Sequence, residues 1–443
     1  MVSTAPAFNL KVVLKETGIA ADTLRAWERR YGLPMPRRSA GGHRLYSRRD
    51  IETIKWLMKR QEDGLSISRA VDLWNEQIAS GTDPLADIVQ RASASTVPVQ
   101  HKSPDTTLDS LRGQWIEACL EFSEFSAEQI LNQAFSMFPV EAVCLDLLQK
   151  GMSEIGDRWY ENSASVQQEH FASALAMRRL DALLSACPVP TRREIVLVGC
   201  PPDEWHTFTP LLLTLLLRRL GLNVIYLGAN VPADQFSATV KNIKANVVVL
   251  AAQQLISAAT LQQTALALSS QDIPVAFGGR IFNIHPEMPA SISGYFLGHD
   301  LISALDQIEV LLNTNMKLPQ PRAASPVHAA AYQAFVSKRA QIERTLEESI
   351  EPLSSAPDDL HTGIHFLGEN ITAALQLGDI SYVSGEVEWL KVLLQFHEVQ
   401  PQQLIHFMQA YSEAVNKNIN EQGNPVYEWF AAEVEKLQSA TRM

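Results

Sequence analysis

The chain has 443 residues, of which 46% are hydrophobic and 19% charged, the balance of an ordinary globular protein. That length exceeds one core and implies two to four domains. No apolar run is long enough to span a bilayer: the longest, Leu211–Leu217, is cut off by Arg218 and Arg219. No signal core stands at the N-terminus.

The net charge of −12 is unevenly spread. Residues 1–80 hold 14 Lys and Arg against 9 Asp and Glu, whereas the remainder holds 23 against 40. A basic head on an acidic body confines phosphate contact to the head. Cys119, Cys144, Cys187 and Cys200 lack metal or redox spacing and read as reduced, mostly buried thiols of a cytoplasmic protein.

In chain order, residues 1–80 form a winged helix-turn-helix head. Val12–Thr17 predicts a short helix, Gly18-Ile19-Ala20 a turn, and Asp22–Tyr31 a second helix. Pro34, Pro36 and Gly41-Gly42 end helix and favour a two-stranded excursion. Ser47 then caps a helix with Ile51, Ile54, Leu57 and Met58 at helical spacing, and Ser66–Trp74 is a further helix. The second helix offers Thr23, Arg25, Trp27, Arg29 and Arg30 to a major groove, with Leu24 kept for the core and Trp27 shared between packing and contact. Arg37, Arg38, Gly42, His43, Arg44 and Tyr46 make a basic wing in which arginines neutralise phosphates.

Residues 81–107, rich in Gly, Ser, Thr, Pro and Ala, read as a linker. Residues 108–190 read as a four-helix bundle. Ser126 opens its second helix with a capping box, Pro139 begins the third, and Ser163 caps the fourth. Residues 191–314 alternate strand and helix, with strands at Ile195–Val198, Val224–Tyr226, Val247–Leu250, Val275–Phe277 and Tyr295–Leu297. That alternation predicts a doubly wound parallel, Rossmann-like sheet with ligands beyond its strand C-termini, where His206, Gln253, Gly278 and Gly279 fall. Residues 315–327 are a second linker. Residues 328–443 are an all-helical domain punctuated at Gly378 and Gly423, with amphipathic stretches at Val387–Phe396 and Leu404–Ala414. They fit a four-helix bundle or an interface equally well. The whole is a multidomain α and α/β chain.

One constellation carries chemistry. His206 stands just past a strand end with Glu204 two residues before it. An imidazole there can give a metal cofactor an axial nitrogen, and the carboxylate can orient the ring and raise its basicity. Upstream, Trp159 is separated by nine residues from the pair Glu169-His170.

The helix Thr23-Leu24-Arg25-Ala26-Trp27-Glu28-Arg29-Arg30-Tyr31 and the wing Gly41-Gly42-His43-Arg44-Leu45-Tyr46-Ser47 resemble the MerR family of transcriptional regulators. Residues 111–314 resemble the cobalamin-binding modules of methionine synthase and its relatives, and are most similar to those of light-responsive repressors of carotenoid synthesis. The likeness is carried by Ile155-Gly156-Asp157-Arg158-Trp159 and Glu169-His170-Phe171-Ala172-Ser173. It implies that Trp159 covers the upper corrin face, that Glu169 and His170 line the space of the adenosyl group of adenosylcobalamin, and that His206 is the lower cobalt ligand backed by Glu204. Gln253, Gly278 and Gly279 would border the slot of the nucleotide arm.

The chain departs from that pattern at three places. Thr209 and Pro210 follow the ligand His where Gly is usual, Ala251 or Ala252 replaces a serine, and Tyr160 stands in place of a second His. The implied function is a non-enzymatic regulator that binds promoter DNA as a dimer or tetramer under cobalamin control. A degenerate sensor working through another tetrapyrrole or a protein remains the alternative, and a cobalamin enzyme is disfavoured because no substrate barrel is apparent.

Overall fold

The computed structural model describes residues 6–38, 44–62, 65–79, 83–85, 107–161, 163–269, 274–314, 318–350, 357–387, 390, 401–419 and 421–441. The chain divides into two compact units, Met1–Thr106 and Thr107–Met443.

In the first unit β1 (Pro6–Asn9) leads into α1 (Leu10–Thr17) and α2 (Ala21–Tyr31). Gly32, at φ 69°, closes α2 by donating its N–H to Glu28 O. β2 (Arg37–Arg38) and β3 (Arg44–Ser47) pair antiparallel, and β1 adds to the other edge of β3. Strand β1 has no counterpart in the sequence reading, because its four residues are too few for a period to show. α3 (Arg48–Glu62) starts as expected at Ser47, whose Oγ and N–H both donate to Asp50 Oδ2 at 2.6 and 2.7 Å. α4 (Ile67–Ala79) completes the unit. Leu85 is buried in its core and Asp83 pairs with Arg49, so residues 83–85, assigned above to a linker, pack on the head.

The second unit opens with α5 (Leu108–Leu120) and α6 (Glu124–Met137). A third helix follows, α-helical over Val140–Ala142, π-helical over Val143–Gln149, and α-helical again in α7 (Lys150–Tyr160). α8 (Val166–Ser185) is the fourth. Two expected caps move. Ser126 lies inside α6, which begins at Glu124, and the capping box of α8 is made by Ser165 with Gln168, not by Ser163. In each case another serine, two or three residues away, precedes the helix instead: Ser123 before α6 and Ser165 before α8.

Five parallel strands come next: β4 (Ile195–Gly199), β5 (Asn223–Tyr226), β6 (Val247–Ala251), β7 (Val275–Gly278) and β8 (Tyr295–Phe296). Their order is β5-β4-β6-β7-β8, so the winding direction reverses between β4 and β6. The helices between them are α9 (Phe208–Arg219), α10 (Ala233–Ile243), α11 (Leu255–Ser269) and α12 (Arg280–Ile284), with α13 (Leu301–Asn313) after the last strand.

Alternation along the strands sends side chains into two cores. Val196, Val198, Val249 and Ala276 join the bundle and α9, whose residues Pro210–Leu217 are all buried. The run Leu211–Leu217 is buried on every side because the bundle and the sheet both cover it, and its one polar group, Thr214 Oγ1, donates to Pro210 O at 2.8 Å. Leu197, Val248, Leu250, Val275 and Phe277 face the opposite way. That face shares a continuous core with the C-terminal helices α14 (Pro326–Ser349), α15 (Pro357–Leu377), α16 (Pro401–Asn418) and α17 (Asn424–Thr441). Gln376 in α15 ties the layers by donating to Ala259 O at 2.8 Å. α15 ends at Gly378, at φ 92°. The stretch Leu404–Ala414 lies within α16, whereas Val387–Phe396 falls almost wholly outside the described residues.

Candidate cofactor site and nucleic-acid interface

The crevice outside the ends of β4 and β6 is where a doubly wound sheet places its ligand. The loop after β4 is held by the neighbouring loop: Cys200 N donates to Gly228 O at 2.9 Å, Val231 N to Cys200 O at 3.1 Å, and Asn230 N to Glu204 O at 2.9 Å. It carries a fully buried carboxylate, Glu204, beside His206, whose side chain is 58% exposed.

Glu204 Oε1 accepts from His206 Nδ1 and from His206 N, both at 2.8 Å. Its Oε2 accepts from Ser257 Oγ and from Gln253 N, both at 2.6 Å. Burial alone would raise this carboxyl, but the hydrogen bonds from His206, Ser257 and the two backbone amides outweigh it and hold Glu204 below its ordinary value. The hydrogen bond to Glu204 lifts His206 above the usual imidazole value against the opposing effect of desolvation. With Nδ1–H committed to the carboxylate, the neutral ring keeps its lone pair on Nε2, with raised basicity. Ser257, in the first turn of α11, was missed from sequence. The available signal was chemical: a buried carboxylate needs more donors than one imidazole.

Beside this relay lies a cavity of about 360 Å³, within the ~300–1,000 Å³ usual for small-molecule sites. Thr209, Pro210, Ala251, Gln253, Gly278 and Gly279 line it from the sheet side, and Gln149, Met152 and Ser153 from the third helix of the bundle. Gln253 spans relay and cavity. Its N–H serves Glu204, its Oε1 accepts from Arg280 N at 3.0 Å, and its Nε2 is buried without a hydrogen-bond partner among the described residues. Gly279 sits at φ 132°, where an added Cβ would lie 1.9 Å from Ala252 O, whereas a Cβ on Gly278 would meet nothing nearer than Leu297 at 3.9 Å.

The structure therefore gathers Gln253, Gly278, Gly279 and Thr209 around the cavity and binds Glu204 to His206. Glu169 and His170, in the first turn of α8, pair with each other at 2.8 Å, and Glu169 lies close enough to His206 to raise its basicity. Trp159 stands half-buried on the last turn of α7. The side chain of Tyr160 lies outside the described residues. These groups fit a His-ligated cobalt corrinoid: a nitrogen donor held in one tautomer, and an unsatisfied amide beside a cavity floored by glycine.

In the head, Thr23, Arg25, Arg29, Arg30 and Arg37 are exposed. Arg25 reaches Asp22 at 3.3 Å, and Arg44 is held by Glu28 at 2.9 Å. Two expected DNA contacts are corrected. Trp27 is 5% exposed and Tyr46 fully buried, both within the head core, and Tyr46 Oη donates to Glu28 Oε1 at 2.5 Å. A helix this short needs its largest aromatic for its own core. Gly42 and His43 lie outside the described residues, as does the side chain of Arg38.

Comparison with known proteins agrees with this layout. Residues 8–77 match the MerR HTH family regulatory proteins, and residues 111–184 and 194–297 match two B12 binding domain families. The chain is a MerR-type helix-turn-helix transcriptional regulator with a B12-binding module. It is 30% identical over 244 residues to the HTH-type transcriptional repressor CarA of Myxococcus xanthus, covering 55% of this chain and 75% of CarA. It is 28% identical over 281 residues to the repressor CarH of the same organism, covering 63% and 90%. The chain belongs to this family of B12-binding HTH-type repressors. The HTH-type transcriptional regulator MlrA of Escherichia coli strain K12 shares 47% identity over 47 residues, 11% of this chain and 19% of MlrA. No described helix is long and apolar enough to cross a membrane.

Proposed function

We propose that this chain represses transcription by binding promoter DNA as an oligomer whose assembly is set by adenosylcobalamin, with His206 as the lower cobalt ligand. The observation that carries this reading is the Ser257–Glu204–His206 relay, a buried carboxylate whose four hydrogen bonds point one imidazole nitrogen outward beside a cavity. Glu204 fixes the ring and Ser257 fixes Glu204. Gln253, Gly278 and Gly279 border the slot for the nucleotide arm, and Gln253 Nε2 offers it a donor. Trp159, Glu169 and His170 cover the opposite face. When bound, adenosylcobalamin would supply a cobalt–carbon bond that light can break.

On the head, Thr23, Arg25, Arg29 and Arg30 meet the major groove, and the wing with Arg37, Arg38, Gly42 and His43 meets phosphates. Arg44 contributes charge while braced by Glu28. A single small head buries too little surface for specific affinity, which is why an oligomer is needed.

Absorbance of the protein reconstituted with adenosylcobalamin, compared for wild type and His206→Ala, tests the ligand. Mass and promoter affinity measured in the dark and after illumination test the switch. A wild-type spectrum identical to that of His206→Ala would remove His206 from the cobalt, and unchanged mass and affinity would remove light.

A further inference from the structure

The short helix α12 is touched from two sides. Arg280 and Asn283 line the cavity, and Asn283 is locked there by a reciprocal pair with His299, Nδ2 to His299 O at 3.0 Å and Oδ1 to His299 Nδ1 at 2.9 Å. Ile281 and Phe282 point into the core that the sheet shares with the C-terminal helices. At the end of α12, the His285 ring lies 4.9 Å from the ring of Tyr382, centroid to centroid. Tyr382 belongs to the 3-10 turn Ile380–Val383, which Asp379 caps by accepting from Ser381 N at 2.9 Å. Three residues on, a Cβ at Gly385 would sit 4.0 Å from His285 Nε2. The start of α12 has no slack either, because Gly279 is pressed on the backbone of Ala252.

We propose that residues 380–387 of the C-terminal helical domain are a positioning part of the cofactor site. Tyr382, through its ring contact with His285, sets the stance of α12, and with it the place of Arg280 and Asn283 at the cavity wall, so the domain both supports cofactor binding and registers it. This rests on the reading of the cavity as the corrinoid site. A wall element held from behind cannot respond to its ligand without shifting free energy in what holds it, and the coupling is reciprocal.

The test uses the full chain and adenosylcobalamin titrated in the dark, followed by absorbance, with hydrogen exchange read in parallel. His285→Ala and Tyr382→Ala, each removing one ring of that contact, are expected to weaken binding at least about fivefold, the lower end of ordinary coupling. The absorbance at saturation should still match the wild type, because His206 is untouched. Tyr382→Phe, which keeps the ring against His285, should bind within about twofold of wild type, where a coupling below that scale is not resolved. Cofactor should in turn slow amide exchange over residues 380–387. Unchanged affinity in His285→Ala, or unchanged exchange over 380–387 on loading, overturns the proposal. If the wild type takes up no cobalamin, the corrinoid reading fails by itself. Exchange at residues 280–285 in unloaded Tyr382→Ala then decides the positioning role: faster than wild type supports it, equal overturns it.

Discussion

Glu204 grips His206 twice with one oxygen, at the ring Nδ1 and at the backbone N, each at 2.8 Å, while its other oxygen is anchored by Ser257 and Gln253 N. The imidazole is thereby oriented before any ligand arrives. Removing the charge should therefore be felt at the cofactor. Glu204→Gln is expected to lower cobalamin affinity about 10–100-fold, the usual effect of losing the partner of a metal-bound imidazole. Ser257→Ala should cost less, since three of the four hydrogen bonds to Glu204 remain. Absorbance titration checks both, and an unaffected Glu204→Gln would separate the carboxylate from the site.

The two adjacent glycines should respond differently. Gly279→Ala forces a Cβ into the Ala252 carbonyl at a φ few side chains adopt, and is expected to destabilise the fold by about 1–3 kcal/mol of backbone strain or more. Gly278→Ala meets ordinary contacts, so its melting temperature should stay close to wild type while the methyl narrows the cavity and weakens cobalamin binding. Thermal unfolding and titration of the pair resolve stability from binding.

Thr209 and Pro210 line the cavity where relatives are expected to carry less bulk. Thr209→Ala is expected to raise affinity for cobalamin, with a helix start that is otherwise kept. A fall in affinity would show that the hydroxyl is a contact and not an obstruction.

In the head, Arg30→Ala and Arg37→Ala should each weaken DNA binding across sequences and reduce the salt slope by about one. Trp27→Ala should instead unfold the unit, because deleting a buried indole costs about 3–5 kcal/mol. Salt-dependent binding curves and a melt of the isolated variants distinguish the two behaviours.

The bidentate pair of Arg49 with Asp83, both bonds at 2.8 Å, gives the head an acid-side signature. The hydrogen bonds from Arg49 hold the Asp83 carboxyl below its ordinary value. A depressed folded-state value means the contribution is complete above the unfolded-state value of about 4 and is lost as pH falls through the folded one. The stability gap between wild type and Arg49→Ala should therefore close on acidification below about pH 4, as read by thermal melts across pH.

Much of this was legible beforehand because the period of each segment is strong. The five strands are short apolar runs of β-branched and aromatic residues, and their alternation assigns Val196 and Leu197 to opposite faces without any coordinates. His206 and Glu204 were visible as a pair since both sit in one loop. Ser257 was not, because its partner is 53 residues away and only folding brings it there. Trp27 and Tyr46 misled for the opposite reason: local spacing gives their place on the surface pattern, while the demand of a small core for aromatic volume is a property of the whole unit. The attachment of α14–α17 to α11 could not be read, since an amphipathic helix does not say what it covers.

That attachment has a practical outcome for anyone who would trim the molecule. Phe277, Val248, Leu250 and Val275 share one core with Phe335, Leu367 and Tyr411. A shortened protein stopping after α13 would strip α11 of the helices packed on it and turn an apolar helix side to water, so it would clump, and any change in its assembly would report stickiness and not regulation. Solubilising substitutions on that newly naked surface must come before the cut.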